Sequence, residues 1–278
     1  MNALTLLGGI GFFFWSVLSP LIAEAEVSTI PKTGNEETMV LIPDGTFTMG
    51  SSSKDIDWVV TEFHSESREW YQDETPAQKV YLKSYFIDKR EVSLAEYLYF
   101  VKAIGSSLPR YIEDQHFNGK NKPVMGIGWQ EAVNYCKWLG KRLPTEEEWE
   151  KAARGKDART YPWGNEAVNT FANVRGMQDN YRYTAPVGDF PEGSSSYGVL
   201  DMAGNVWEWT SDWYQPYKGN KHDNDLYGEK FKVIRGGSWS SNMDLARSAV
   251  RGKAAPDQRQ NFIGFRCAKN FIKGEGER

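Results

Sequence analysis

Cysteine and histidine are scarce in this chain of 278 residues, which holds two of the first and three of the second. The histidines, His64, His116 and His222, show no H-x-x-x-H or similar ligand spacing, so the pattern gives non-haem iron no support. No glycine-rich phosphate loop follows a strand pattern, and no G-x-S-x-G nucleophile elbow is present. Long runs of one charge are also missing. The balance of 33 Lys and Arg against 37 Asp and Glu leaves a net charge of −4, which disfavours nucleic acid as a partner. No internal repeat or low-complexity segment interrupts the body. Aromatics make up 14% and hydrophobic residues 40%, enough to bury a sizeable core and to exclude disorder for most of the chain.

One long stretch lacks charge altogether, Leu4 to Ile22, and it ends in Ala23-Glu24-Ala25, a small-x-small signature for cleavage before Glu26. No Lys or Arg precedes it, and its length approaches the roughly 20 residues that span a bilayer. Residues 1–25 therefore read as a signal peptide or as an uncleaved N-terminal membrane anchor, the only membrane contact expected. Without a cysteine at the end of the run, a lipoprotein is disfavoured. Both readings place the body outside the cytoplasm, periplasmic or secreted. Residues 26–37 read as a linker, 38–272 as a single domain and 273–278 as a polar tail. In an oxidising compartment Cys136 and Cys267 fit a disulfide and two buried thiols equally well.

Met39 to Gly50 reads as a hairpin of two strands about Pro43-Asp44-Gly45, and Val80 to Ile87 as one strand. Between them, Ser51 to Gln78 shows no periodicity and reads as a long loop. Ser93 and Glu96 form a capping box for a helix that Gly105 ends. A second helix starts near Trp129, with Ala132, Val133, Cys136 and Leu139 at helical spacing. Thr145 and Glu148 open a third, which stops at Gly155; Glu146, Glu147 and Glu148 read as acids complementing its N-terminal dipole. Beyond Tyr161 the chain is rich in Gly, Asn, Asp and aromatics, and few runs are long enough for helices.

Two stretches organise this second half. In Asp201-Met202-Ala203-Gly204-Asn205-Val206-Trp207-Glu208-Trp209-Thr210-Ser211-Asp212-Trp213, three tryptophans within seven residues are too bulky for an exposed strand. Gly204 and Asn205 supply a turn where positive φ is cheap. The companion is Val233-Ile234-Arg235-Gly236-Gly237-Ser238-Trp239. With Arg247-Ser248-Ala249-Val250-Arg251 and Gly264-Phe265-Arg266-Cys267, these stretches resemble the formylglycine-generating enzyme, or sulfatase-modifying factor, superfamily. The resemblance runs from about Met39 to Cys267 and is most specific in the second half. It implies an α+β class, a single mixed domain with little regular secondary structure, in a fold related to C-type lectins. It also implies a Cys136 to Cys267 disulfide, because both positions match cysteines bridged in the family.

Calcium is the cofactor that the resemblance implies, as one or two ions. One would sit on Asn173, Val174, Asp179 and Tyr181, the other on Asp201, Gly204, Val206 and Glu208, and such mixtures of carboxylate and carbonyl oxygens suit Ca²⁺. Spacing alone favours a plainer reading, in which Asn173 and Asp179 cap loops and Glu208 pairs with an arginine. Copper is disfavoured. The family's oxidase holds Cu(I) between two cysteines after the Gly-Gly-Ser turn, whereas here Ser241 stands where the first thiolate would be, and a hydroxyl is no substitute for that soft ion. Trp207, Ser238, Trp239, Ser241, Arg247 and Arg251 match the family's substrate groove, where the arginines would receive an anion. The plainer alternative is that Arg235, Arg247, Arg251 and Arg266 pair with internal acids and carbonyls. Two function classes follow. One is an exported maturation or tailoring factor acting on a protein or peptide-derived substrate. The other is a binding module that holds a periplasmic partner protein or glycan without turnover. No residue is assigned a catalytic role, and the sequence sets no oligomeric state.

Overall fold

Reciprocal capping fixes the helices. In the computed structural model, which describes residues 38–272, Ser93 Oγ accepts from the Glu96 backbone N–H, and the Glu96 carboxylate accepts from that of Ser93. Thr145 and Glu148 repeat the arrangement. The regions read as signal or anchor (1–25), linker (26–37) and tail (273–278) lie outside the described residues. Among the described residues no helix is long and apolar enough to cross a membrane.

The chain order is β1 (Met39–Ile42), β2 (Gly45–Met49), α1 (Ser53–Glu62), β3 (Gln78–Leu82), β4 (Tyr85–Asp88), α2 (Leu94–Ile104), α3 (Trp129–Trp138) and α4 (Glu146–Arg154). It continues through β5 (Trp207–Trp213), β6 (Lys232–Arg235), β7 (Arg251–Ala254), β8 (Ile263–Gly264) and β9 (Ala268–Asn270). Three small sheets result, ordered β1-β4-β9, β2-β3 and β7-β6-β5-β8. Helix α2 ends where Gly105 takes a left-handed φ of 69°.

Three expectations for the segment before α2 need correction. The hairpin about Pro43-Asp44-Gly45 does not form. Instead β1 pairs with β4, Met39 opposite Asp88, and β2 with β3, Gly45 opposite Leu82, in one antiparallel register that is interrupted midway. The interruption falls where Pro43 has no N–H to give and the Asp44 N–H donates to Ser84 Oγ instead (3.0 Å). The same break divides the expected strand Val80 to Ile87 into β3 and β4. The stretch from Ser51 to Gln78 is not structureless either: Ser52 and Asp55 form a third capping box for α1, and a 3₁₀ segment covers Arg68–Glu74.

The Trp207–Trp213 run is a strand, with a register shift between Trp209 and Trp213, contrary to the bulk argument. That argument assumed an exposed strand, but β5 lies between β6 and β8 and its first four residues are buried. Trp207 and Trp209 join the main core with Tyr97, Phe100, Tyr135 and Phe265. At the far end Trp213 and Trp129 enclose the Lys232 ammonium, 3.7 and 4.0 Å from the ring centroids. The Cys136–Cys267 disulfide lies within the same core, with its Cα atoms 5.7 Å apart.

Helix α4 is buried on every side except at Glu147. Glu146 and Glu148 therefore do more than complement the helix dipole. Glu146 accepts from Arg251 (2.7 and 2.9 Å) and Arg235 (3.0 Å), Glu150 accepts from Arg235 (2.6 Å), and Glu148 takes both ends of Arg142. Beside the helix, Glu208 accepts from Arg266 (2.7 Å at each oxygen) and from the Trp149 indole (2.8 Å). Burial alone would raise the Glu146 carboxyl, but Arg251 and Arg235 more than offset this and hold it below the usual carboxylate range.

Removing one partner strands the others in a medium that cannot solvate them. Arg235→Met is expected to cost about 3–5 kcal/mol, read from denaturant unfolding, and a loss near zero would refute the pairing. Because its folded pKa is lowered, Glu146 contributes stability above the unfolded value of about 4.3 that is lost as pH falls through the folded one. The fall in unfolding free energy on acidification should accordingly be shallower in Glu146→Gln. Exchanging both cysteines for serine should cost at most about 4–5 kcal/mol, given their sequence separation of 131. Thiol titration of the unreduced, denatured chain should find none.

Candidate functional site

The turn before β5 is pinned against a second loop. Gly204 takes φ 76°, and a Cβ there would come 2.1 Å from the Asn173 carbonyl oxygen, so no larger residue fits. Asn205, at φ 59°, donates its backbone N–H to that same carbonyl (2.7 Å). Its side chain ties three segments: Oδ1 accepts from Ala185 N (3.0 Å) and Asn173 Nδ2 (3.1 Å), while Nδ2 donates to Glu91 Oε1 (3.0 Å). The Gly-Gly-Ser turn is joined on by Gly204 N to Gly236 O and Trp239 N to Asn205 O (2.8 and 2.9 Å).

Of the residues expected to bind a first ion, Asp179 joins two others. Its Oδ2 accepts from Val174 N (3.2 Å) and its Oδ1 from Tyr181 N (2.9 Å), which is loop capping; burial raises its carboxyl, and these N–H groups oppose the shift. Asn173 is fully buried and donates to Tyr183 O (2.9 Å), but its Oδ1 has no partner. An orphaned buried acceptor of this kind is what a hard cation would satisfy. The second set offers less. Both oxygens of Glu208 are engaged by Arg266 and Trp149. Asp201 accepts from Gly188 N with Oδ2, and its carboxyl faces that of Glu91; Asp201 Oδ1 and Glu91 Oε2 meet no other donor. Burial pushes both carboxyls above the ordinary range, and the Asp201 charge pushes Glu91 further. Among the described residues no three His, Cys, Asp or Glu side chains gather as a metal-binding group.

The six expected groove residues do not share one surface. Trp207 packs in the core. Ser241 is turned inward, its hydroxyl accepting from Ser238 N (3.0 Å) and lying 3.2 Å from Ser238 Oγ. Arg247 gives both ends of its guanidinium to Glu74 (2.7 and 3.0 Å), and Arg251 is held by Glu146, the Asp73 carbonyl and the Gln215 carbonyl. Arg247 lines a separate cavity of about 410 Å³ with Asp55, Trp58 and Arg154.

Trp239 alone of the six opens on a roomy, solvent-accessible cleft of about 780 Å³, shared with Arg175, Gly176, Met177, Arg182 and Ser240. Its indole N–H donates to Asn261 O (3.1 Å), and its ring meets Tyr183 at 5.3 Å and Phe117 at 5.9 Å. His116 lies against Tyr183 at 4.5 Å. Arg175, Met177 and Arg182 give no signal in the sequence: exposed residues on an irregular loop carry no periodicity, and the lack of acidic partners for the two arginines shows only after folding. The cleft offers cations, an indole and a serine hydroxyl, suited to binding and orienting an anionic or flat group.

Comparison with known proteins agrees with this architecture. The family model described as "Sulfatase-modifying factor enzyme 1-like domain" matches residues 23–271. The formylglycine-generating enzyme of Bos taurus is 30% identical over 300 residues, covering 86% of this chain and 76% of that protein. The inactive C-alpha-formylglycine-generating enzyme 2 of Mus musculus is 39% identical over 162 residues, 53% of this chain and 49% of that protein. Among solved structures, PvdO from Pseudomonas aeruginosa superposes with a TM-score of 0.69 at 30% identity, over 84% of this chain and 94% of that one. A loop-rich α+β domain knotted at Asn173, Gly204 and the Gly-Gly-Ser turn, matched over nearly its whole length, belongs to the family of the sulfatase-modifying factor enzyme 1-like domain.

Proposed function

We propose that the chain is an exported maturation or tailoring factor that takes a protein or peptide-derived substrate in the cleft beside Trp239 and does not perform copper-thiolate oxidation. The observation that carries this reading is the Cys136–Cys267 disulfide. It consumes both cysteines of the chain, and neither lies in the segment Trp239 to Ala246 that follows the Gly-Gly-Ser turn. At that turn Ser238, Ser240 and Ser241 present hydroxyls, and soft Cu(I) selects thiolates. Export rests on the uncharged run before Ala23-Glu24-Ala25. A family relative named inactive C-alpha-formylglycine-generating enzyme 2 is consistent with loss of that chemistry within the fold.

Calcium belongs to the same proposal. The orphaned Oδ1 of Asn173 beside Asp179 supports a first ion on Asn173, Val174, Asp179 and Tyr181. The ion pair of Glu208 with Arg266 makes a second weaker. Bound calcium would supply positive charge that cross-links loops lacking regular hydrogen-bond ladders.

A second reading, a binding module without turnover, is favoured by one observation: Arg247 and Arg251 are spent on internal acids and offer no cation to a reacting group. The purified chain incubated with a sulfatase-type cysteine peptide should form no aldehyde by mass spectrometry; aldehyde formation would overturn the central reading. EDTA should lower the melting temperature, and an unchanged value would count against structural calcium. Chemical conversion of a peptide-derived product recovered with the chain would favour the tailoring factor, and recovery of an unmodified partner the binding module.

A further inference from the structure

Arginine in this protein is almost always paired. Among the described residues, Arg68, Arg90, Arg142, Arg154, Arg159, Arg235, Arg247, Arg251, Arg259 and Arg266 each contact a carboxylate. The exceptions are Arg110, Arg175 and Arg182, and all three border one aromatic cluster. Arg175 and Arg182 line the cleft beside Trp239. Arg182 stands 5.8 Å from the Tyr183 ring centroid and Arg110 at the same distance from Tyr111, which packs on Phe117. In a chain with more acids than bases, two guanidiniums that share one cleft without a carboxylate partner are an unmet demand for anions. Acids on the adjoining segments make other contacts: Asp179 caps backbone N–H groups with both oxygens, Asp189 accepts from the Tyr181 hydroxyl (2.7 Å), and Asp114 accepts from His116 N (2.9 Å).

We propose that the Trp239 cleft is an anion-recognising subsite for the carboxylates of an acidic peptide segment, which Arg175 and Arg182 grip while Trp239 and Met177 cover its apolar parts. The proposal rests on the reading of the cleft as the peptide-substrate site and adds the charge of what enters it. A guanidinium fork matches a carboxylate in two parallel hydrogen bonds, and the indole beside it shields the pair from water. Met177, 60% exposed, gives an adaptable apolar wall. The backbone under Arg175 is fixed by its N–H donating to Ser241 O (2.8 Å), so this arm of the cleft is anchored to the turn that carries Trp239.

The test uses the full chain and two N-acetylated peptides of alternating residues, Asp-Tyr repeats and Asn-Tyr repeats, titrated by calorimetry at low and at physiological salt. The wild type should bind the Asp peptide more tightly, with affinity falling as salt rises. Arg175→Gln with Arg182→Gln should weaken it about tenfold and leave the Asn peptide unaffected. Both substitutions are at exposed sites, so folding is preserved and a matching melting temperature verifies it. Equal affinity for both peptides, or a double variant that binds the Asp peptide like wild type, overturns the anionic subsite. If Trp239→Ala then abolishes binding of both peptides, the cleft stays a peptide site without charge preference. If neither peptide binds the wild type, the subsite fails, and the wider reading is decided separately by the recovered product or partner.

Discussion

Helix α4 places three glutamates, a lysine and an arginine inside the protein, and much of the second half of the chain is arranged to neutralise them. Glu146 and Glu150 share Arg235, Glu146 also takes Arg251, and Lys151 donates to the carbonyls of Pro43 and Gly45 (2.7 and 3.0 Å). Burying such charges is expensive, and an apolar set of the same volume would often be at least as stable. What the pairs add is directional: each guanidinium has a fixed fork, so β6, β7 and the loops that follow must approach α4 in one register to satisfy it. The same geometry fixes the edge between β2 and α4, where Gly50 N donates to Glu150 Oε1 (2.7 Å).

That constraint explains how a domain with short strands holds long irregular loops. Buried loop backbone needs partners that ladders would otherwise supply. Here they come from side chains: Asn205 for the loops at Asn173 and Ala185, Asp179 for its own loop, and Arg235 for the carbonyls of Ser248 and Ala249. The cleft beside Trp239 sits on this scaffold. Its indole is fixed by Asn261 and by Tyr183 and Phe117, whereas the two guanidiniums at its mouth face solvent. A rigid aromatic floor with free charges at the rim is a division of labour common in recognition sites.

Local structure is legible in the sequence where both partners of an interaction lie within a few residues. The boxes at Ser93 and Thr145, the stop at Gly105 and the inward face of Cys136 are of this kind. The box at Ser52 is equally local but carries Asp55 in place of glutamate and precedes a weak apolar pattern, so the sequence gives little sign of the helix it opens. Pairings across long separations misled. Pro43-Asp44-Gly45 has the composition of a hairpin turn, yet β1 and β2 find their partners across α1, because β4 and β3 offer both of them one shared register on either side of the break. The tryptophans of β5 argued against a strand only while the sheet neighbours on each side were unknown.

Sequence alone determined the family, the α+β class, helices α2, α3 and α4 and the absence of a thiolate pair after the Gly-Gly-Ser turn, since each rests on residue identity or on contacts within a few turns of chain. The tertiary structure decided which charges are spent and which are free. Arg247 and Arg251 carry motif positions of the expected groove and are consumed by Glu74 and Glu146, while Arg175 and Arg182 carry no motif and stand open beside Trp239. A guanidinium is the same group at every position; its role is set by whether a carboxylate from a distant part of the chain arrives beside it, and that depends on how the whole chain packs.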